Sequence, residues 1–256
     1  MSKRLAVLYG VLCYAAFAAV LLYTVGFVEG VIVPRSIDGP IREGAQAPAW
    51  IVDLVLVLVF ALQHSVMARP GFKAWWTRIV PRPVERSTYV LFTSAVLALM
   101  FALWRPIPVT IWSVGGAGAM AIWAVGGLGW LTALVSTFLI NHFDLFGLRQ
   151  VFAYASGREI PPPEFTTPLF YRVVRHPLYV GFLMAFWAAP VMTRGHLLFA
   201  VSMTAYILIA IRFEERDLVS ALGGAYRAYQ KRVSMIVPWF PRKAPEAPAD
   251  QAEAAE

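Results

Sequence analysis

The chain has 256 residues, 59% of them hydrophobic and only 14% charged, where a soluble domain carries roughly a quarter charged residues. Uncharged apolar runs fill so much of it that no water-facing surface can be assembled from the remainder, which excludes an ordinary soluble globule and makes an all-α integral membrane protein the expected class. The net charge of +7 sits in short loops between those runs, where it sets topology, and does not imply nucleic acid.

In chain order the charge-poor stretches are 5 to 28, 50 to 68, 88 to 104, 111 to 140, 178 to 193 and 196 to 211. The first is too long for a cleaved signal peptide and reads as a retained span. Its Cys13 is the only cysteine, so disulfides and a cysteine-based zinc site are excluded and the thiol reads as packing. The last two runs are short and separated by Arg194 and Gly195, which predicts a short helical hairpin of antiparallel neighbours. About six transmembrane helices result.

Lys and Arg distribute unevenly across the alternate loops. Two precede the first run, five lie in 69 to 87, four in 141 to 177 and seven after 211, 18 on one side against Arg35, Arg42, Arg105 and Arg194 on the other. By the positive-inside rule both termini are expected in the cytoplasm. Residues 1 to 241 read as one transmembrane domain. Residues 242 to 256, built from Ala, Pro and acidic residues, read as a disordered tail.

Ionisable groups at a membrane edge are costly, so their placement is informative. His64 lies near the cytoplasmic end of the second run, Asn141, His142 and Asp144 follow the fourth, Arg175 and His176 precede the fifth, and Arg212, Glu214, Glu215 and Arg216 follow the sixth. The hairpin brings His176 and Glu214 to one membrane face, predicting a polar pocket there. Each group also has a plainer reading. Basic residues at helix ends are ordinarily topological anchors, an acidic pair is ordinarily solvated, and a single His64 serves equally as a helix-to-helix hydrogen-bonding residue. Asp53 and His196, toward the other interface, are read as capping or turn groups without chemistry. Trp75, Trp76, Trp104, Trp112 and Trp239 fit an aromatic belt. Glycines 115, 116, 118, 126, 127 and 129 either allow close helix packing or admit a flat ligand.

One string is not accounted for by membrane physics. Arg175-His176-Pro177-Leu178-Tyr179-Val180-Gly181 opens the fifth run, and Glu214-Glu215, Tyr226, Tyr229 and Val237-Pro238 follow the sixth. This composite resembles the pattern of the integral-membrane S-adenosylmethionine-dependent methyltransferases, the superfamily of isoprenylcysteine carboxyl methyltransferase and phospholipid methyltransferase. Gly127-x-Gly129 is similar to the glycine element that those enzymes place beside the cofactor. Further strings, Gln63-His64-Ser65-Val66-Met67-Ala68-Arg69, Glu85-Arg86-Ser87-Thr88-Tyr89-Val90 and Asn141-His142-Phe143-Asp144-Leu145-Phe146-Gly147-Leu148-Arg149-Gln150, resemble the bacterial branch that methylates methanethiol to dimethyl sulfide.

The resemblance implies a bacterial inner-membrane enzyme whose site faces the cytoplasm, taking S-adenosylmethionine, releasing S-adenosylhomocysteine and acting on a small thiol, with no metal and no obligate protein partner. It implies cofactor contacts at Arg175, His176, Tyr179, Gly181, Glu214 and Glu215, with Pro177 fixing the turn. A thiol attacks as thiolate, so a base or a positive environment is expected beside it; His64 and His142 are the candidates, with Asp144 orienting the latter. Two alternatives stay open: a prenylcysteine carboxylate or phospholipid amine as acceptor, and a non-enzymatic accessory or transport protein of nitrogen-oxide metabolism.

Overall fold

The computed structural model describes residues 1–40, 48–161 and 165–238. The expected tail at 242–256, Arg42 and Trp239 lie outside these residues. Five helices are long and apolar enough to cross a membrane: α1 Lys3–Glu29, α2 Ala49–Ala68, α4 Arg82–Leu103, α5 Gly116–Ile140 and α9 Arg194–Leu222. Between them lie the short helices α3 Pro70–Trp76, α6 His142–Leu145, α7 Leu148–Ser156 and α8 Pro177–Trp187, with α10 Gly224–Arg232 closing the described chain. The protein is an all-α integral membrane protein. Its only sheet among the described residues is the two-stranded antiparallel pair β1 Thr110–Ser113 and β2 Val191–Thr193.

Three expected boundaries move. Residues 111 to 113 of the fourth run pair with β2 instead of opening a helix, and Gly116, at φ +58°, turns the chain into α5. The fifth run stops at Trp187 after 11 helical residues, about 16 Å at 1.5 Å per residue and well short of the hydrocarbon thickness. Pro190 follows, and the run finishes as β2. The sixth run is instead longer than expected. Thr193 caps it, its hydroxyl accepting from the His196 amide at 3.0 Å, and the helix continues for 29 residues through Glu214 and Glu215. The last two segments are the antiparallel neighbours expected, but their arms are unequal.

Contacts fix which helix ends meet. Tyr9 at the start of α1 bonds Thr88 near the start of α4 at 3.0 Å, while Phe27 near the end of α1 packs on Phe101 near the end of α4. His64 near the end of α2 meets Tyr89, and Asp53 near its start accepts from the Arg105 amide at 2.9 Å just past α4. One end of the bundle therefore carries the starts of α1, α4 and α8 and the ends of α2, α5 and α9. Both ends of the described chain lie there. The opposite end holds the β pair, the fully buried Asp53, and His196, whose Nε2 donates to the Phe186 carbonyl at 3.0 Å. Asp53 and His196 are thus fastened into the fold, as caps or turn groups are. Cys13 is a buried free thiol.

The tightest approach in the bundle is α5 against α8. A Cβ built on Gly181 would stand 2.5 Å from the Ala133 amide nitrogen and the Gly129 carbonyl oxygen, and one on Gly129 would stand 2.7 Å from the Gly181 oxygen and the Ala185 nitrogen. Backbone touches backbone at both positions, so neither can carry a side chain unless the helices separate. Of the two readings open for this glycine-rich helix, close packing applies to Gly129. A Cβ on Gly127 meets nothing within 4 Å. Gly181→Ala is expected to lower the thermal midpoint of the purified protein, with an overpacking cost of about 1–3 kcal/mol, while Gly127→Ala leaves it in place. Thermal unfolding in detergent checks both.

Candidate active site

The motif residues converge at the end of the bundle where α8 begins. Pro177 takes the first helical position, where its missing N–H costs nothing and its fixed φ suits the turn, and His176 stands just before it as the N-cap. The chain after α10 returns alongside: the amides of Arg175 and His176 donate to the carbonyls of Ser234 and Met235 at 2.8 and 3.2 Å. Its companion α10 is held by Tyr226 and Tyr229, both buried, with Phe165 packed against their rings. Burial pushes the Tyr229 hydroxyl up to about 12, so it stays protonated and donates to the Tyr171 carbonyl at 2.5 Å.

The two glutamates of the pair do different work. Glu215 is consumed by the protein: its Oε1 accepts from Arg175 Nε at 2.6 Å and from His176 Nε2 at 3.1 Å, and its Oε2 from Gln230 at 3.0 Å. Arg175 is equally engaged, since its NH1 also donates to the carbonyls of Gln230 and Val233 at 3.1 and 2.5 Å. Together they fasten α8, α9 and α10 to one another. Glu214 differs. Its Oε2 accepts from the Tyr179 hydroxyl at 3.0 Å and lies 3.9 Å from His176 Nδ1, and its side chain is 44% exposed against 16% for Glu215. Among the described residues Glu214 makes no other hydrogen bond, so it is the carboxylate of the pair with capacity for a ligand.

The expected cofactor contacts differ in how far the protein itself engages them. Arg175 and Glu215 bind several protein partners each, and Gly181 faces the α5 backbone, where its missing side chain serves helix packing. Glu214 and the Nδ1 side of His176 carry fewer protein partners.

His64 belongs to the same region. Its ring stacks on Phe60 (centroids 5.4 Å apart), meets Tyr206 edge-on at 6.5 Å, and places Nδ1 3.3 Å from Thr93 Oγ1. The Tyr89 hydroxyl is 3.0 Å from both ring nitrogens. It straddles the ring, within hydrogen-bond reach of Nδ1 and Nε2 alike. Tyr206 and Glu214 lie on the same helix α9, so the surroundings of His64 and of Glu214 share one end of the bundle. Positive charge lies close by. Arg86 stands over the Tyr89 ring at 5.2 Å, and Arg69 donates to the Ser65 carbonyl at 3.2 Å and pairs with Asp217 at 2.9 Å.

His142 does not join them. It is 5% exposed, its Nε2 lies 2.8 Å from the Tyr14 hydroxyl and its Nδ1 2.8 Å from Thr137 Oγ1, and its ring stacks on Phe138 at 4.1 Å. Burial pushes its pKa down. Asp144 was expected to orient this ring, but it turns to Gln150 at 3.0 Å and Arg149 at 3.8 Å. Tyr14 and Thr137 hold the His142 nitrogens while Asp144 faces α7, so the two residues tie α1, α5 and α7 together. Tyr206, which sequence reasoning passed over, carries one legible signal: it stands eight residues before Glu214, two turns along one helix face.

Comparison with known proteins gives a consistent result. Methanethiol S-methyltransferase 1 of Bradyrhizobium diazoefficiens is 52% identical over 238 residues, covering 93% of this chain and 83% of that protein. Methanethiol S-methyltransferase of Mycobacterium tuberculosis is 52% identical over 240 residues, 93% of this chain and 98% of its own. More distantly, nurim of Sus scrofa is 31% identical over 180 residues, 66% of this chain and 67% of its own. No protein-family profile matches the chain. No solved structure matches it either. With about half of all residues shared across nearly its whole length, the chain belongs to the methanethiol S-methyltransferase family of membrane methyltransferases.

Proposed function

We propose that the chain transfers a methyl group from S-adenosylmethionine to methanethiol, giving dimethyl sulfide and S-adenosylhomocysteine, at the cytoplasmic face of a bacterial inner membrane. The observation that carries this reading is the half-exposed Glu214 carboxylate, held by Tyr179 and joined through Tyr206 to His64. The residues present fit the cofactor: Glu214 answers its ammonium or sulfonium charge, and the tyrosine rings answer its adenine or its cation. When bound, S-adenosylmethionine supplies a methyl carbon that takes a bond to the acceptor sulfur while the electrons of its former carbon–sulfur bond neutralise the sulfonium. Tyr179 holds the Glu214 side chain in place by donating to it. His176, between the two glutamates, anchors Glu215 by its Nε2 and turns its Nδ1 toward the Glu214 side of the site. At the other end His64 Nε2 takes the proton of the incoming thiol. Phe60 and Tyr89 wall it on either side and exclude water, and Arg86 favours a thiolate over a thiol. The 18 to 4 asymmetry of basic residues supports the cytoplasmic placement.

Inverted and right-side-out membrane vesicles incubated with methyl-labelled S-adenosylmethionine test the reaction and the sidedness together. Given methanethiol, a prenylcysteine and phosphatidylethanolamine in turn, inverted vesicles are expected to release labelled dimethyl sulfide and to label neither of the other two. Right-side-out vesicles, sealed against the charged cofactor, release none. Label entering lipid or prenylcysteine instead contradicts the acceptor, and release from right-side-out vesicles alone contradicts the orientation.

A further inference from the structure

Tyr206 occupies a position that the reaction as so far described leaves without a role. It projects from α9 toward α2, packing edge-on against Phe60 at 5.6 Å and against His64 at 6.5 Å, with its hydroxyl bonded to Ser65. It shares helix α9 with Glu214, eight residues further on. The acceptor sulfur has to stand with its proton toward His64 and its lone pair toward the Glu214 end. Tyr206 packs against His64 from the helix that carries Glu214. Phe60 at 5.4 Å and Tyr89 at 5.2 Å flank the same imidazole, so three rings crowd the proton acceptor, and every carbon past the first on an alkyl thiol has to displace one of them.

We propose that Tyr206 sets the size of the acceptor, confining the enzyme to short alkyl thiols. The inference rests on thiol methylation as the function and adds the residue that limits its range. The bulk of the ring is what matters, and the hydroxyl only fixes its rotamer through Ser65. Phe60 and Tyr89 are less suited to this part, because each lies against a face of the imidazole, whereas Tyr206 approaches its edge from the side of Glu214.

The test compares kcat/KM for methanethiol and 1-butanethiol in wild type, Tyr206→Phe, Tyr206→Leu and Tyr206→Ala, each variant also titrated with S-adenosylhomocysteine to show an intact cofactor end. Each methylene in an apolar site discriminates by roughly 10- to 200-fold. The ratio of butanethiol to methanethiol is therefore expected to rise at least about tenfold in Tyr206→Ala, to rise less in Tyr206→Leu, and to stay at the wild-type value in Tyr206→Phe. Should Tyr206→Ala not yield folded protein, Tyr206→Leu carries the comparison, since it keeps much of the packing volume against α2. An unchanged ratio in the truncated variants, with cofactor-product affinity preserved, overturns the assignment of Tyr206 and leaves the thiol reaction standing. A shifted ratio in Tyr206→Phe overturns it as well. Failure of the wild-type chain to methylate any thiol overturns the reading beneath it, and is recognised because it precedes any comparison of variants.

Discussion

Glu214→Gln is expected to bind S-adenosylhomocysteine roughly 10- to 150-fold more weakly than wild type and to lose methyl transfer in proportion, while folding and inserting normally. The magnitude follows from removing one charged hydrogen-bonding partner, worth about 1.5–3 kcal/mol. Normal folding follows from the environment: the side chain is 44% exposed and the carboxamide oxygen still accepts from the Tyr179 hydroxyl. The neighbouring position provides the contrast. Glu215 is 16% exposed and satisfies Arg175, His176 and Gln230 at once, so Glu215→Gln leaves the Arg175 guanidinium without its anion and lowers the thermal midpoint as well as activity. Two adjacent glutamates with opposite signatures, one in binding and one in stability, are what the geometry requires; equal loss of stability in both variants would contradict the division.

His64→Gln is expected to lower turnover with methanethiol by roughly a hundredfold, the size of a typical general-base contribution, with S-adenosylhomocysteine affinity unchanged. Glutamine keeps a polar side chain toward Thr93 and Tyr89, so loss of packing does not explain the defect. Activity recovers partly as pH rises, because a larger share of the thiol then ionises in solution and needs no acceptor. A fluorinated, more acidic thiol does the same at neutral pH. Wild-type turnover in His64→Gln, or a defect indifferent to both pH and thiol acidity, rules the role out. His142 lies apart, its nitrogens held by Tyr14 and Thr137.

The fold was legible where single residues had to satisfy the membrane. Long uncharged runs give long helices because backbone groups in lipid must bond internally. The composite of Arg175 through Gly181 with Glu214 and Glu215 marked a candidate site through its resemblance to the membrane methyltransferases, and the structure brings these residues together at one end of the bundle. The boundaries of the last hairpin were hidden. Composition gives no sign that Thr110–Ser113 pairs with Val191–Thr193, and an apolar run reads the same whether it finishes as helix or as strand. Nor does a motif separate a residue that meets ligand from one that assembles the site. Arg175, Gly181 and Glu215 belong to the string as much as Tyr179 and Glu214 do, and only the partners of each side chain tell them apart. Asp144 and His142, two residues apart in sequence, were linked by proximity along the chain, but Asn141 opens a new turn there and sends the two side chains to different neighbours.

The most direct measurement of the account is calorimetric titration of the purified, detergent-solubilised chain with S-adenosylhomocysteine, run side by side for wild type, Glu214→Ala and His64→Ala. The proposed function puts cofactor recognition at Glu214 and proton transfer at His64, two ends of one site. The predicted result is therefore loss of measurable binding in Glu214→Ala and wild-type affinity in His64→Ala. Wild-type affinity in Glu214→Ala, or equal loss in both variants, contradicts that division.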